Sequence, residues 1–178
     1  MKVGIAGVGG IGSNVAFNLV RAGWRELKLV DMDRIESSNL NRQFYFADQL
    51  GRYKTEALRE NLLRIEPSAE IESLVLQLDE SNIISSFVDC GVIVEGFDNV
   101  TTKKMLVESF AERNVPVISA CGIAGFALSE VGRRRIGNCE IVGDFTTDFN
   151  EAELYCPKIQ VIAAMMADRV LQRIREQR

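Results

Sequence analysis

Histidine is absent from this chain of 178 residues, and proline, tryptophan and cysteine are rare. Without an imidazole the protein has no His general base and no His metal ligand. The four cysteines are Cys90, Cys121, Cys139 and Cys156, and no two of them form a Cys-x-x-Cys pair, so we expect no structural zinc. Cys90 and Cys121 adjoin apolar segments and are expected to be buried, while Cys139 is expected in a strand.

Long apolar runs are missing as well, and no window of about 18 uninterrupted apolar residues exists, so we expect no membrane span. Glycines interrupt the apolar start of the chain, which argues against a secretory signal, and the sequence therefore predicts a cytoplasmic protein. The formal net charge of −4 gives no basic footprint for nucleic acid or for an anionic membrane. The length and composition predict one domain over residues 1–178.

Short apolar segments alternate with amphipathic ones along most of the chain. The predicted strands are residues 2–6, 26–30, 70–76, 92–95 and 115–120, and the predicted helices are 13–22, 52–65, 79–88 and 101–113. This alternation predicts an α/β fold, a doubly wound, Rossmann-like and mostly parallel sheet with helices on both faces. Segments 126–135 and 139–142 predict an antiparallel hairpin that extends the sheet, and Pro157 fits the first turn of a final helix.

A glycine-rich turn follows the first predicted strand and opens the first helix. Gly7, Gly9, Gly10 and Gly12 fall within a G-x-G-x-x-G pattern, in which the first glycine permits the turn and the last permits close packing of helix on strand. Gly9 lets the backbone approach a phosphate, and the helix N-terminus attracts anions. Asp31 ends the second strand, where an acidic residue can accept from ribose hydroxyls. The pattern predicts a nucleotide site.

A polar segment of unusual length, residues 33–51, follows the second strand. Asn39, Arg42, Gln43 and the later Lys54 have the character of a triphosphate clamp, because an arginine binds two phosphate oxygens in a fork and a lysine adds a point charge. The same residues also fit a solvated polar loop. A dinucleotide-binding oxidoreductase, which needs a nicotinamide pocket instead, is an alternative at this point.

Several of these features occur together in one known family. The turn Gly-Val-Gly-Gly-Ile-Gly-Ser, the Asp31-x-Asp33 pair, the run Ser-Asn-Leu-Asn-Arg-Gln-Phe, Lys54 and the run Gly96-Phe97-Asp98-Asn99 resemble the ThiF/MoeB/HesA family, bacterial relatives of ubiquitin-activating enzymes. The resemblance is clear from residue 1 to about 125 and looser over the final helix. The short chain is most similar to the compact ThiF-type proteins of thiamin biosynthesis.

The resemblance implies an ATP-dependent adenylyltransferase that uses Mg²⁺ and activates the C-terminal glycine carboxylate of a β-grasp sulfur-carrier protein, ThiS-like, with release of pyrophosphate. Carried over by position, the nucleotide-binding residues are Gly7, Gly9, Gly10, Gly12, Asp31, Asp33, Asn39, Arg42, Gln43 and Lys54. Asp98 would hold the metal and would act with Arg42 and Lys54 in catalysis. A helix N-cap before Val100 is the alternative role for Asp98.

Some features of the family have no clear match here. Some members use a cysteine to take the activated carboxylate, and Cys156 is the candidate because it precedes the final helix, whose N-terminus favours a thiolate. An arginine ahead of the first strand, which many members have, has no counterpart in this sequence. That absence motivates a non-catalytic module that binds nucleotide or carrier as an alternative. Activation of a small molecule or a tRNA base is another.

Partners follow from the same resemblance. It implies a homodimer, with the final helix and the 126–142 hairpin as the expected interface, and neither a nucleic-acid nor a membrane partner is expected.

Overall fold

A seven-stranded sheet with helices on both faces forms the part of the chain that the computed structural model describes, residues 1–148 and 152–176. The strands are β1 (Lys2–Ala6), β2 (Glu26–Asp31), β3 (Glu70–Val75), β4 (Cys90–Glu95), β5 (Val117–Ala120), β6 (Gly132–Ile136) and β7 (Cys139–Gly143). The helices are α1 (Gly10–Arg21), α2 (Lys54–Leu63), α3 (Ile83–Ser86), α4 (Val100–Phe110) and α5 (Cys156–Glu176). Two 3-10 turns, Ser37–Asn39 and Ala47–Gln49, lie between β2 and α2.

The strand order is β3-β2-β1-β4-β5-β7-β6, and every neighbouring pair except β6–β7 is parallel. The predicted doubly wound, mostly parallel sheet is therefore confirmed. Successive strands are added outward on one side of β1 and then, from β4 onward, on the other. The carboxyl ends of β1 and β4 thus border the crevice at which sheets of this kind bind ligands.

The predicted hairpin is present, but only one of its strands is antiparallel to the main sheet. β7 pairs in parallel with β5, so β6 alone runs antiparallel, at the edge of the sheet. Strand β6 also begins later than residue 126. The backbone N–H of Gly125 donates to the Glu153 carbonyl, and that of Val131 donates to the Leu128 carbonyl, so the segment before Gly132 turns instead of pairing.

The helix predicted for residues 79–88 is reduced to the single turn of α3. Asp79 was expected to cap it, but the Asp79 Oδ1 accepts from the backbone N–H groups of Ser81 and Asn82, at 2.8 and 3.2 Å, in a turn ahead of the helix. Asn82 holds the N-cap position of α3. Aspartate competes for local backbone N–H groups and so favours such turns over a helix interior.

The last helix, α5, is amphipathic and packs against α1 and the sheet. Its buried apolar side chains recur at helical spacing and are Ile159, Ile162, Ala163, Met166, Ala167, Val170 and Ile174. This apolar face of α5 is buried within the chain, so it does not form the subunit interface that was expected of the final helix. No helix within residues 1–148 and 152–176 combines the length and the apolar character that crossing a bilayer requires.

Gly12 seals the contact between α1 and the turn after β1. A Cβ atom at this position would lie 1.9 Å from the Gly7 carbonyl oxygen, whereas a Cβ at Gly10 would meet its nearest neighbour, Ile159 Cδ1, at 3.6 Å. We expect Gly12→Ala to destabilise the protein by about 3 kcal/mol, because backbone must move to admit the methyl group. Gly10→Ala should be neutral or stabilising, since alanine favours a helix.

Urea unfolding of the two variants and the wild type measures this difference. A Gly12→Ala protein within about 0.5 kcal/mol of wild type, the range of ordinary surface substitutions, would contradict the packing argument.

Candidate functional site

A cleft of about 270 Å³ opens at the carboxyl ends of β1 and β4, where the sheet order reverses. The glycine turn forms one wall, the ends of β2 and of β4 form two more, and the polar segment before α2 contributes side chains. From the C-terminal half of the chain the cleft receives Ile123, Leu154 and Ile159. Of the residues predicted for the site, the cleft is lined by Gly7, Gly9, Gly10, Asp31, Asp33, Arg42, Gln43, Lys54 and Asp98.

The glycine turn brings β1 and β4 into backbone contact. Gly7 has φ +83°, and a Cβ on it would lie 3.0 Å from the Gly96 carbonyl, while a Cβ on Gly96 would lie 2.5 Å from the Gly7 oxygen. Gly9 is the N-cap of α1 and offers no side chain to the helix. The N–H groups of the first helical turn therefore have no side-chain cap, and such groups bind anions.

Asp31 ties the end of β2 to this turn. Its Oδ2 accepts from the Val8 backbone N–H and its Oδ1 from the Asp33 N–H, both at 2.8 Å. Burial raises the pKa of Asp31, although the two N–H groups and the nearby Lys54 oppose that rise. The carboxylate lines the cleft with its position fixed by backbone, as a ribose ligand requires.

Lys54 is the first residue of α2, and its side chain is only 8% exposed. Its Nζ lies 2.8 Å from the Asp33 Oδ2, and the Asp33 side chain is 58% exposed. The ammonium group thus lines the cleft and pairs with a carboxylate that water can reach. Such an arrangement can exchange the aspartate for a phosphate without stranding a buried charge.

The other three residues of the predicted clamp differ in placement. Asn39 does not line the cleft, and its Oδ1 accepts from the Glu36 backbone N–H at 3.0 Å. Arg42 lines the cleft, but its Nη1 donates to the Ser38 carbonyl at 2.7 Å, within its own segment. Gln43 is buried, lines the cleft, and has no partner for its Oε1 within residues 1–148 and 152–176. A buried amide oxygen without a protein partner can accept a hydrogen bond from a group or a water in the cleft.

Asp98 lies just after β4, exposed and lining the cleft. The N-cap of α4 is Asn99, whose Oδ1 accepts from the backbone N–H groups of Thr101 and Thr102 at 2.8 and 3.2 Å. The alternative role of Asp98 as a helix cap is therefore wrong. A cap is satisfied by a neutral amide, and Asn99 supplies it one residue closer to the helix.

Glu95 does not line the cleft but supports it from behind, a role that the sequence reasoning missed. Its side chain is fully buried, its Oε1 accepts from the Phe97 backbone N–H at 2.8 Å, and its Oε2 accepts from Lys103 Nζ and from Ser119 Oγ. These contacts hold the turn that carries Asp98. The available signal was an acidic residue closing an otherwise apolar strand.

Tyr45 and Asn14 were also missed, and both support the glycine turn from behind. The Tyr45 hydroxyl donates to the Val8 carbonyl at 2.7 Å, and Asn14 Nδ2 donates to the carbonyls of Gly10 and Arg42 at 2.6 and 2.8 Å. Burial raises the pKa of Tyr45 well above its ordinary value, so the phenol stays a donor. Neither residue belongs to a spacing pattern that a sequence alone reveals.

The cysteines divide into two groups. Cys90 and Cys139 are buried, and burial raises the pKa of their thiols to about 12 and about 11. Cys121 was expected to be buried and is exposed, because β5 ends at Ala120 and the chain leaves the sheet there. Cys156 is half-buried and is the first residue of α5, where a loop position was expected, and it does not line the cleft.

Alkylation should follow this division. In native protein at pH 8 we expect iodoacetamide to modify Cys121 first and Cys156 more slowly, while Cys90 and Cys139 stay unmodified, because only accessible thiolates react. Peptide mass spectrometry over time measures the order, with urea-unfolded protein as the control in which all four react. Early modification of Cys90 or Cys139 would contradict their placement.

These features together define a class. A doubly wound sheet with a glycine turn at its switch point and an acidic residue after β2 is a Rossmann-like fold with a candidate nucleotide cleft. Within that class, the model of the ThiF family matches residues 1–177, and the chain belongs to the ThiF family.

Three proteins illustrate the relationship. The chain is 39% identical to ubiquitin-like modifier-activating enzyme 5 of Caenorhabditis elegans over 87 residues, which are 49% of this chain and 21% of that protein. It is 28% identical to the molybdopterin-synthase adenylyltransferase of Escherichia coli over 173 residues, which are 93% of this chain and 70% of that protein. The chain therefore spans about a fifth of the first relative and most of the second.

The third is a solved structure, E. coli tRNA N6-threonylcarbamoyladenosine dehydratase, TcdA, in complex with AMP. It matches with a TM-score of 0.90 and 17% identity, over 99% of this chain and 86% of that one. A crystal structure of the same protein in complex with ATP matches with a TM-score of 0.85. At this identity the likeness supports the fold.

Proposed function

We propose that this protein is an ATP-dependent adenylyltransferase that activates the C-terminal glycine carboxylate of a β-grasp sulfur-carrier protein of the ThiS type, in thiamin biosynthesis. The observation that carries the proposal is the gathering of Arg42, Gln43, Lys54 and Asp98 around the glycine turn in one cleft. Hydride transfer needs no such set of phosphate ligands, so the geometry disfavours the oxidoreductase alternative.

The relatives support the same chemistry. One is named an adenylyltransferase, another is named for activating a ubiquitin-like modifier, and TcdA has been crystallised with both ATP and AMP. The choice of a ThiS-like carrier rests on the short chain and its motifs, which most resemble compact ThiF-type proteins.

The reaction follows from the positions of the side chains. Asp31 would accept from the ribose hydroxyls, and the first turn of α1 would face the phosphates. A carboxylate oxygen of the carrier would attack the α-phosphorus while the bond to the departing pyrophosphate breaks, which leaves an acyl-adenylate. Lys54 and Arg42 would neutralise the charge that builds on the phosphate oxygens. Such catalysis is mostly positioning and charge stabilisation, and it needs no histidine.

A magnesium ion fits the donors that the cleft offers. No group of three or more His, Cys, Asp or Glu side chains suited to a metal occurs in the described ranges, 1–148 and 152–176. Mg²⁺ is commonly held by one or two carboxylates together with phosphates and water, and the exposed Asp98 supplies one carboxylate at the cleft. Asp98 would hold the ion, which when bound would offset negative charge on the phosphates.

ATP–pyrophosphate exchange across a panel of β-grasp carriers tests the proposal. We expect exchange with a ThiS-like carrier, and none with the same carrier lacking its terminal glycine. If the protein binds ATP but catalyses no exchange with any carrier of the panel, the non-catalytic module is favoured instead. A thermal shift with NAD and none with ATP would favour the oxidoreductase.

A second candidate is activation of a group on tRNA. It is favoured by the exposed arginines of the edge strand β6, Arg133, Arg134 and Arg135, of which Arg133 and Arg135 share a face, since neighbouring arginines suit phosphate backbones. The structural neighbour TcdA is named for a tRNA modification. Adding total tRNA in place of the carrier, and measuring AMP release, distinguishes this candidate from the first.

We also propose that the protein is a homodimer through the 126–142 segment, which exposes Phe126 (64%) and Ile136 (68%). Burying such side chains stabilises an interface by about 1.5–3 kcal/mol each. Light scattering at tens of micromolar should therefore give twice the chain mass, and Ile136→Asp should shift the population toward monomer. A wild-type protein that is wholly monomeric at that concentration would contradict the proposal.

A further inference from the structure

Lys158 is a fully buried cation for which the proposed chemistry has no use. It lies in the first turn of α5, its side chain is 0% exposed, and its Nζ donates to the Asp144 Oδ2 and to the Ala124 carbonyl, both at 2.5 Å. A positive charge in the first turn of a helix is opposed by the helix dipole. The buried first turn of α5 is therefore an energetically unfavourable position for a lysine.

Asp144 is equally buried, with a side chain 0% exposed, and both of its oxygens are used. Oδ1 accepts from the backbone N–H groups of Thr146 and Thr147 at 2.9 Å, and Oδ2 lies 2.8 Å from Thr147 Oγ1. Burial alone would raise the pKa of Asp144, but the hydrogen bonds from Lys158 and the two threonines outweigh it and hold that pKa well below its usual range. The Asp144 carboxylate is thus ionised, and both of its oxygens accept hydrogen bonds.

The pair joins three segments that are distant in sequence: residues 121–125 after β5, residues 144–147 after β7, and the first turn of α5. Glycine makes the approach possible, because a Cβ on Gly122 would lie 2.0 Å from the Asp144 Oδ1. Thr147 Oγ1 adds a contact to the Ala124 carbonyl at 2.9 Å. The segment after β5 is therefore held at Ala124 by the Lys158 ammonium group, and the single Thr147 hydroxyl proton can go to either the Ala124 carbonyl or Asp144.

Two of these segments, the one after β5 and the start of α5, border the cleft. Ile123 precedes Ala124, Ile159 follows Lys158, and both line the cleft. Leu154 lines it too, and the neighbouring Glu153 carbonyl accepts from the Gly125 backbone N–H at 2.9 Å. The wall that faces the glycine turn is thus formed by Ile123, Leu154 and Ile159, which are neighbours in sequence of residues that the ion pair and its contacts hold in place.

Stability alone is a poor reason for such a pair. Replacing a buried ion pair by apolar side chains of similar volume is often neutral or stabilising, because desolvation offsets the Coulombic attraction. The ion pair instead fixes the position of Ala124. Charged hydrogen bonds are directional, and the methyl side chain of Ala124 makes none of its own.

We propose that Lys158 is a positioning residue for the adenylation reaction, which with Asp144 fixes the Ile123–Ala124 wall of the cleft against the nucleotide. This inference rests on the proposed function. Removing the charges of Lys158 and Asp144 should therefore leave nucleotide binding nearly unchanged, because the glycine turn, Asp31 and Lys54 lie on elements that the ion pair does not contact. The step that needs both substrates aligned should slow.

The double variant Lys158→Met/Asp144→Asn tests this, because it removes both charges while keeping the volume and a carbonyl acceptor for the N–H groups of Thr146 and Thr147. We expect an ATP dissociation constant within about threefold of wild type and a maximal exchange rate lower by about 10- to 100-fold. Small misplacements of reacting groups lower a reaction rate by about this factor. Hydrogen exchange at the Gly125 amide should accelerate at least about tenfold, because its segment loses an anchor.

The matched control is Lys28→Met/Asp89→Asn, which removes another lysine–aspartate pair away from the cleft. In that pair Lys28 Nζ lies 2.6 Å from Asp89 Oδ1, and the two side chains are 8% and 40% exposed. It should change neither the exchange rate nor the Gly125 amide. If the first double variant does not fold, Thr147→Val removes the hydroxyl that lies within hydrogen-bond distance of both Ala124 and Asp144, keeps the ion pair, and should give the same changes at smaller size.

An unchanged exchange rate in the folded variant would overturn the proposal, and so would an unchanged Gly125 amide. A rate loss matched by an equal loss of ATP affinity would also overturn it, since the pair would then serve binding. If wild type itself exchanges no pyrophosphate, the proposed function fails separately, and the Gly125 amide alone then decides whether the pair fixes the wall.

Discussion

Lys54→Met is expected to lower ATP–pyrophosphate exchange by about 10²-fold, the usual cost of removing one preorganised donor from a developing charge. Lys54 is the nearly buried ammonium group that lines the cleft, and methionine keeps its buried stem while removing its charge. Stability should change by about 1 kcal/mol or less, because the abandoned Asp33 is 58% exposed and water can solvate it. Initial exchange rates and urea unfolding measure the two effects.

Lys104→Met is the matched control for this variant. Lys104 lies on α4, its side chain is 71% exposed, and its contact with Glu108 is a surface ion pair of 3.7 Å. Its loss should leave exchange at the wild-type rate. A Lys54→Met protein with wild-type exchange would remove Lys54 from the phosphate site and leave it as a partner of Asp33.

Asp98→Asn should keep the fold and lower Mg²⁺-dependent exchange at least about tenfold, which is about 1.4 kcal/mol of barrier. A hard cation prefers a charged oxygen, so an amide of the same shape is a weak substitute for the carboxylate. The fold has no reason to change, because Asn99 and not Asp98 caps α4. Melting temperature and exchange across a Mg²⁺ titration measure both quantities in one protein.

Asp79→Asn serves as the control for Asp98→Asn. Asp79 accepts from two backbone N–H groups in an exposed turn outside the cleft. Its replacement should leave exchange at the wild-type rate at every Mg²⁺ concentration. If Asp98→Asn behaves in the same way, Asp98 does not hold the ion, and the metal must find its ligands elsewhere.

The fold was predictable because its determinants are local. Buried strands such as β1 are short apolar runs, and the glycine turn and Asp31 sit at fixed distances from them, so periodicity and spacing suffice. Where local signals compete, prediction erred. Asp79 could cap either a helix or a turn, and the segment before β6 could either pair as a strand or fold back. In both cases tertiary contacts determined which conformation formed.

The site was predictable only in part, for a related reason. Lys54, Gln43 and Asp98 belong to motifs that can be recognised one by one, and the cleft brings them together. Glu95, Tyr45 and the Lys158–Asp144 pair act by contacts between segments that are far apart in sequence. No rule based on sequence spacing predicts such contacts. Residues of these types also occur on protein surfaces, so their identity alone does not indicate a site.

The proposed reaction is transfer of the adenylyl group of ATP to a carrier carboxylate. The most direct measurement is incubation of the protein and a ThiS-like carrier with Mg²⁺ and ATP labelled at the α-phosphate, followed by intact-mass analysis and counting of the carrier. We expect label on the full-length carrier and none on a carrier lacking its terminal glycine. With Lys54→Met we expect less than about a tenth of the wild-type label, about the loss expected of one charged donor. Label that never reaches any carrier, although the same preparation binds ATP, would contradict the proposed reaction.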